Sequence, residues 1–378
     1  MKAYVYTDKS LERYAGRFVW LSINTEEAKN AAFLQKYPIP ALPTLMVLDA
    51  KRDAVTLRYV GGATVPQLQK MLDDAEKTYR AKSEASADKL LSQGDALAAQ
   101  GKHAEAVKAY DAAIAGAPAK WSKLGRTAES LLFSLSMSGN EERCATRALE
   151  LYPRVKGTVS AANVAATGLS CAISLDAKIE KRNAWVRQLE KQTREVFDDP
   201  KIKMSADDRS GLYMALIDAR DAAGDEEEVV TLKSEWSKFL DNAAASAKTP
   251  DQRTVYDSHR LTAYLDLGTP EKAVPMLEQS EKDFPDDYNP PARLAAAYKA
   301  MKQYDKALAA SDRALAKVYG PRKLAVLSVR ADIYVAAGDS KAAKETIVQA
   351  IEYAKALPPG QRSEGRINSF EKRLEKMQ

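Results

Sequence analysis

With 378 residues, 45% of them hydrophobic and 29% charged, the chain has the balance of a folded protein, and it is long enough for two or three ordinary domains or for one small domain joined to a solenoid. The net charge of +5, spread over 57 Lys and Arg interleaved with 52 Asp and Glu, is too mild for a nucleic-acid footprint, and the basic stretch 178–194 and acidic stretch 225–228 read as solvated helix faces. Two histidines and two cysteines narrow the chemistry further. His103 and His259 read as helix-surface residues far apart in sequence, and Cys144 and Cys171 have neither redox-pair nor zinc spacing. Gly61-Gly62 lacks the Lys-Ser/Thr of a phosphate loop, and no apolar run approaches the roughly 18 residues of a membrane span. The expectation is a non-enzyme with no metal, no cofactor, no nucleic-acid partner and no membrane span.

Residues 18–23, Phe-Val-Trp-Leu-Ser-Ile, alternate in a β-branched and aromatic pattern that predicts a strand. Thr25-Glu-Glu suits a helix start, and residues 28–37 follow as a helix with Ala32, Phe33 and Leu34 as its buried stripe, ended by Pro38 and Pro40. Residues 45–48, Leu-Met-Val-Leu, predict a second strand and residues 55–60 a third, terminated by Gly61-Gly62. Thr64 then caps a helix with Pro66 in its first turn, whose apolar face is Val65, Leu68, Met71 and Leu72.

The stretch 37–49, Tyr-Pro-Ile-Pro-Ala-Leu-Pro-Thr-Leu-Met-Val-Leu-Asp, resembles the thioredoxin signature around its cis-proline. The resemblance puts Pro43 in that role and makes Leu42, Pro43 and Thr44 the loop whose backbone would pair with a substrate peptide. A cis X-Pro bond lies only about 0.5–1 kcal/mol above trans, so a fold holds it readily; as an ordinary turn, Leu42-Pro43 would be trans. By the same resemblance residues 1–15 correspond to the helix after a Cys-x-x-Cys motif, whose cysteines and strand would precede Met1. Residues 1–80 are then an incomplete α/β thioredoxin-like domain, either cut short or degenerate, with a gap in its sheet between residues 18–23 and 45–48. Without the cysteine pair it has no thiol-disulfide chemistry. A thioredoxin-like relative favours a periplasmic or extracytoplasmic address, and a true start at Met1 a cytoplasmic one.

From residue 84 to 378 the β signals give way to recurring helix–turn–helix units, after a small polar linker over 81–88 expected to become helical. The clearest unit, 87–118, has Gly94 where a partner helix must come close, Leu97, the turn at Gly101, then Ala106, Tyr110, Ala113 and Pro118. This resembles the tetratricopeptide pattern. Similar spacing recurs around Leu261, Tyr264, Gly268, Ala273 and Leu277, around Ala295, Tyr298, Lys302 and Ala307, and around Ala331, Tyr334, Gly338 and Ala343. The turns at Gly268, Lys302 and Gly338 lie 34 and 36 residues apart, against a family period of about 34. More divergent pairs fill 122–152, 159–197 and 206–240, the last with Trp236 where a small residue is expected, and a charged helix over 363–377 closes the array. The expected fold is mainly α, a tetratricopeptide-like α-solenoid of about seven pairs with a small N-terminal incomplete α/β domain.

Such an array presents a rigid face of first-helix side chains that holds an extended peptide or a partner helix. The cationic clamp that some family members use for a C-terminal carboxylate is missing, since the corresponding positions are Leu91 and Asp95, Ser258 and His259, Ala292, Arg293 and Ala296, and Ser328 and Asp332. Three functions compete: a scaffold for a protein or peptide client, a thiol-disulfide oxidoreductase or redox chaperone whose cysteines lie upstream, and a self-assembling solenoid. Cys144, at the start of a second helix, and Cys171, late in the next first helix, lie on neighbouring elements of such an array. They form either a disulfide, which would point to an oxidising compartment, or two separate buried thiols.

Overall fold

The computed structural model describes residues 1–80 and 86–377, so the first five residues of the expected helical linker lie outside the described residues. Two compact units result, one of Met1–Ala15 with Tyr37–Leu232 and one of Gly16–Lys36 with Lys233–Gln378. The boundary expected between residues 80 and 84 therefore does not separate compact bodies. Its physical cause is local: the strand Ala54–Val60 packs directly against the first array helix, Ser86–Ala99, and shares its unit.

In the first unit, residues 1–15 form turns and a 3-10 helix, Lys9–Tyr14, in place of the α-helix implied by the resemblance. Tyr14 is fully buried, its hydroxyl 2.9 Å from the Gln69 carbonyl and 2.8 Å from the Asp73 carboxylate. The Leu42-Pro43 peptide bond is cis. Strands β1 (Thr44–Asp49) and β2 (Ala54–Val60) follow as an antiparallel hairpin with Leu45 opposite Tyr59 and a bulge between Val47 and Leu48. They are the only sheet among the described residues. Helix α2 (Val65–Arg80) starts as expected: the Thr64 backbone N–H and hydroxyl each reach the Gln67 side chain at 2.8 Å, and Leu68, Met71, Leu72 and Ala75 are buried.

Three helix pairs and a further helix complete this unit: α3 (Ser86–Ala99) with α4 (His103–Ala115), α5 (Leu124–Met137) with α6 (Glu141–Val155), α7 (Val159–Ser174) with α8 (Arg182–Asp198), then α9 (Ala206–Ala222); the unit boundary falls inside the next helix, α10 (Glu226–Ala245). Close approach is built in at Gly94, where a Cβ would stand 2.5 Å from the Tyr110 ring. One continuous core runs from Leu91 through Leu131, Leu151 and Leu169 to Leu212.

In the second unit, α12 (Asp257–Asp266), preceded by the short α11 (Pro250–Thr254), pairs with α13 (Ala273–Asp283), α14 (Asn289–Ala300) with α15 (Tyr304–Leu315), and α16 (Lys323–Ala336) with α17 (Ser340–Ala356). Helix α18 (Glu364–Glu375), capped by Ser363, closes the row. The within-pair turns sit in the left-handed region, at φ 68° for Gly268 and 83° for Gly338, and Lys302 adopts φ 58° at the equivalent point without being glycine. Trp236 is almost wholly buried, and its ring lies 5.8 Å from that of His259 at a tilt of 50°.

The strand expected over residues 18–23 is not formed. Val19 and Leu21 stay 88% and 78% exposed. An extended segment becomes a strand only by pairing its backbone with a sheet edge, and the rest of the described second unit is helical. The helix expected over 28–37 is split into a 3-10 turn, Ala28–Asn30, and α1 (Ala31–Lys36). Ala31 and Leu34 are its buried residues, Phe33 is partly buried, and Ala32, expected inside, is exposed.

Candidate functional site

In the first unit successive first helices α3, α5, α7 and α9 are neighbours, and the face they make is not empty. Strand β2 lies against α3 and α5, and the loop after it brings Gly62 to Ser205 and Asp207 at the start of α9, so close that a Cβ on Gly62 would stand 3.3 Å from the Asp207 carboxylate. The anchor beneath β2 is Asp95 of α3, fully buried, which accepts from the Tyr110 hydroxyl at 2.9 Å and from Arg126 at 2.6 Å. Arg126 also reaches the Arg58 carbonyl at 3.4 Å, which ties the strand backbone to the array. Arg58 itself is 3% exposed, with its guanidinium 5.3 Å from the centre of the Phe133 ring and its Nε and Nη2 unpaired.

His103 corrects the sequence reading of a surface residue. It is buried at the start of α4, 3.3 Å from the Ser134 hydroxyl and edge-on to Phe133, and burial together with the nearby Arg58 charge lowers its pKa. His103 lies on the side of α4 that packs against α5, while its neighbours Ala104 and Glu105 are exposed. His259 is half-buried against Trp236.

Glu129 of α5 takes hydrogen bonds from Ser160, Asn163 and Tyr59, and burial nevertheless raises its pKa. Asp208 is raised for the same reason, opposed by its capping bonds to Ser205. A carboxyl whose folded pKa exceeds its unfolded one stabilises the fold fully below the unfolded value, and that contribution is lost as pH rises through the folded value. Glu129→Gln is therefore expected to raise the unfolding temperature near neutral pH, with the difference fading as pH falls below the ordinary Glu value of 4.5. Thermal melts of both proteins across pH check it, and a benefit confined to acid would contradict it.

Cys144 of α6 and Cys171 of α7 are joined by a disulfide with Cα atoms 6.1 Å apart, and both residues are buried. The bridge links the second helix of one pair to the first helix of the next.

In the second unit the first helices α12, α14 and α16 adjoin in the same way. The positions singled out from the sequence are placed as follows. Ser258 is exposed, Ala292, Arg293 and Ala296 are partly buried on α14, and Asp332 and Ser328 of α16 are engaged by Arg373 of α18, at 2.6 and 3.4 Å. Arg330 is likewise spent on Asp312 at 2.6 Å. Asp257 is fully buried and accepts from Ser280 at 2.6 Å, while its other oxygen has no hydrogen-bond partner. No group of three His, Cys, Asp or Glu among the described residues could hold a metal ion, and none of the described helices is long and apolar enough to cross a membrane.

Residues 325–357, covering most of α16, its turn and α17, match the family model described as Tetratricopeptide repeat. A tetratricopeptide repeat protein from Parabacteroides merdae has a similar solved structure, at a TM-score of 0.50 and 10% identity, covering 78% of this chain and 99% of that one. The helical array has the tetratricopeptide-repeat fold. Weaker similarity extends, at TM-scores of 0.36 and 0.29, to the assembly chaperone of RpL4 (12% identity, 77% of this chain and 97% of that one) and to the TPR2AB-domain:pHSP90 complex of yeast Sti1 (15% identity, 77% and 98%). No curated protein matches the chain. Within each unit the first helices adjoin from pair to pair, α3, α5, α7 and α9 in the first and α12, α14 and α16 in the second.

Leu42, Pro43 and Thr44 were expected as a loop, and Cys144 and Cys171 as either a disulfide or two separate buried thiols, of which the structure forms the disulfide; the Asp95–Arg126–Arg58 anchor was missed. The available signal was Arg58 itself, a lone cation inside the apolar run Val-Thr-Leu-Arg-Tyr-Val of residues 55–60.

Proposed function

We propose that the protein is an interaction scaffold that holds an extended polypeptide client on the first-helix face of its second unit, along α12, α14 and α16. The observation that carries this reading is the seating of β2 on the equivalent face of the first unit. That face already holds an extended strand, through one buried carboxylate and a backbone bond from Arg126. It is taken by the chain itself, which leaves the second unit for a client. With Arg330 and Arg373 engaged by aspartates, recognition there runs through backbone bonds and small apolar contacts at Ala292 and Ala296 and not through a carboxylate clamp.

The test is a screen of extended peptides for binding to the full chain, followed by the groove-filling variants Ala296→Trp and Val335→Trp. A bound peptide should weaken at least about tenfold in a filled groove, with circular dichroism confirming that the array stays folded. A peptide that binds filled and unfilled proteins equally overturns the reading.

A second reading makes residues 1–80 the remainder of a thioredoxin-like domain serving a thiol-disulfide oxidoreductase. The succession of β1, antiparallel β2 and α2 directly after Pro43 favours it. Under either reading this chain is expected not to reduce insulin disulfides with a supply of reductant, because its two cysteines are buried and joined to each other. Turnover that disappears in Cys144→Ser or Cys171→Ser would reverse the non-enzyme assignment.

A further inference from the structure

Residues 24–36 sit within the second unit on a ledge made by two turns, the one between α15 and α16 and the one between α17 and α18. Asn24 and Glu26 form the contacting turn: the Glu26 backbone N–H donates to Asn24 Oδ1 at 3.0 Å, and Asn30 donates to the Asn24 carbonyl at 2.8 Å. Asn24 Nδ2 reaches the Tyr319 hydroxyl at 2.8 Å. Glu26 accepts from the Arg322 backbone N–H at 2.7 Å and pairs with its guanidinium at 3.5 Å, just ahead of α16. Gln361, only 8% exposed, spends its Nε2 on the Thr25 carbonyl at 2.8 Å.

The ledge is shaped for a backbone. A Cβ on Gly320 would strike the Glu26 main chain, and a Cβ on Gly360 would strike the Ala31 carbonyl oxygen and lie 2.7 Å from the Gln35 nitrogen. Gly320 needs its left-handed φ of 61° in any case, but Gly360 lies outside that region, so its missing side chain serves the close approach. Directly before the seated turn, residues 19–23 are exposed apolar chain that packs into no sheet. The seated segment is thus held by these polar contacts of its turn together with the buried Ala31 and Leu34 of α1, and is not the edge of a sheet.

We propose that this ledge is a recognition site for an acidic Asn-x-Glu turn, filled in the free protein by residues 24–36 and taken by a client segment of the same chemistry that displaces them. The specificity elements are the Arg322 N–H and guanidinium for the carboxylate, Gln361 for the carbonyl between, Tyr319 for the amide, and Gly360 for the chain that follows. This surface is separate from the first-helix face, so the two claims stand on different variants.

The test uses the full chain carrying Asn24→Ala and Glu26→Ala, which weakens the resident segment, and a fluorescent synthetic peptide of residues 22–36. By anisotropy the peptide should bind the double variant at least tenfold more tightly than the unaltered protein. Adding Gly360→Ala or Gln361→Ala to the double variant should remove that binding, with circular dichroism confirming an intact array. Two outcomes overturn the proposal: a peptide that binds none of the proteins, and one that binds with an affinity indifferent to Gly360 and Gln361. Equal binding to the unaltered protein and the double variant would also overturn it, because the resident segment would then not be the occupant.

Discussion

Replacing Cys144 and Cys171 together by alanine is expected to lower the unfolding free energy by about 3–4 kcal/mol. The bridge closes a segment of sequence separation 27, and on the chain-entropy estimate a loop of that size restrains the unfolded state by about this amount. Both residues belong to the continuous core of the first unit, where α6 and α7 are packed along much of their length, so the native geometry already holds them together. Because repeat arrays are stabilised by nearest-neighbour contacts, the loss should concentrate in the second and third pairs and lower the cooperativity of unfolding. Urea titrations with and without reductant check this. Identical curves for the oxidised protein, the reduced protein and the double variant would mean that the bridge restrains nothing.

Asp95→Ala should be comparably severe, a loss of about 3–5 kcal/mol, because it leaves a largely buried guanidinium without its partner. Arg126 has a side chain only 13% exposed, and its carboxylate partner is completely buried. The same substitution deprives the buried Tyr110 hydroxyl of its acceptor, next to Gly94, where the ring fills the space a side chain would need. Asp95→Asn, which keeps an acceptor for Tyr110 but removes the charge, is expected to lose less. Arg126 also carries the bond to the Arg58 carbonyl, so β2 amides should exchange faster in Asp95→Ala than the amides of α7, which do not depend on this anchor. Denaturant unfolding with hydrogen exchange separates the two effects, and a β2 that stays as protected as α7 would show that the anchor does not hold the strand.

The helical array was readable because its code is local. Gly94 opposite Tyr110, the turn glycines Gly101, Gly268 and Gly338, and the alanines Ala106, Ala273, Ala307 and Ala343, all fully buried, follow from one repeating packing problem solved in each pair. Even Lys302 was placed correctly at a turn by its spacing alone, despite a left-handed φ that glycine usually supplies. The N-terminal region was readable in its local hairpin, β1 and β2, and less so in the segments whose packing partners lie far along the chain. Residues 18–23 have a strand's alternation but no edge to pair with, and periodicity reports which faces are apolar, not whether a neighbour exists. His103 and Arg58 were misjudged or missed for a related reason: both meet the Phe133 ring of α5, an element distant in sequence from each of them. The two cysteines could be assigned to adjacent helices from the repeat, whereas their separation of 6.1 Å between Cα atoms is a matter of register that spacing leaves open.

The central claim, that a client lies along the first helices of the second unit, is tested most directly by photocrosslinking from defined positions. A photoreactive side chain placed at Ala296 on α14 or Val335 on α16 should capture a bound extended peptide, while the same group at Lys306 on α15 or Glu345 on α17, both exposed second-helix positions, should not. Capture from α15 and α17 in preference to α14 and α16 would contradict the account.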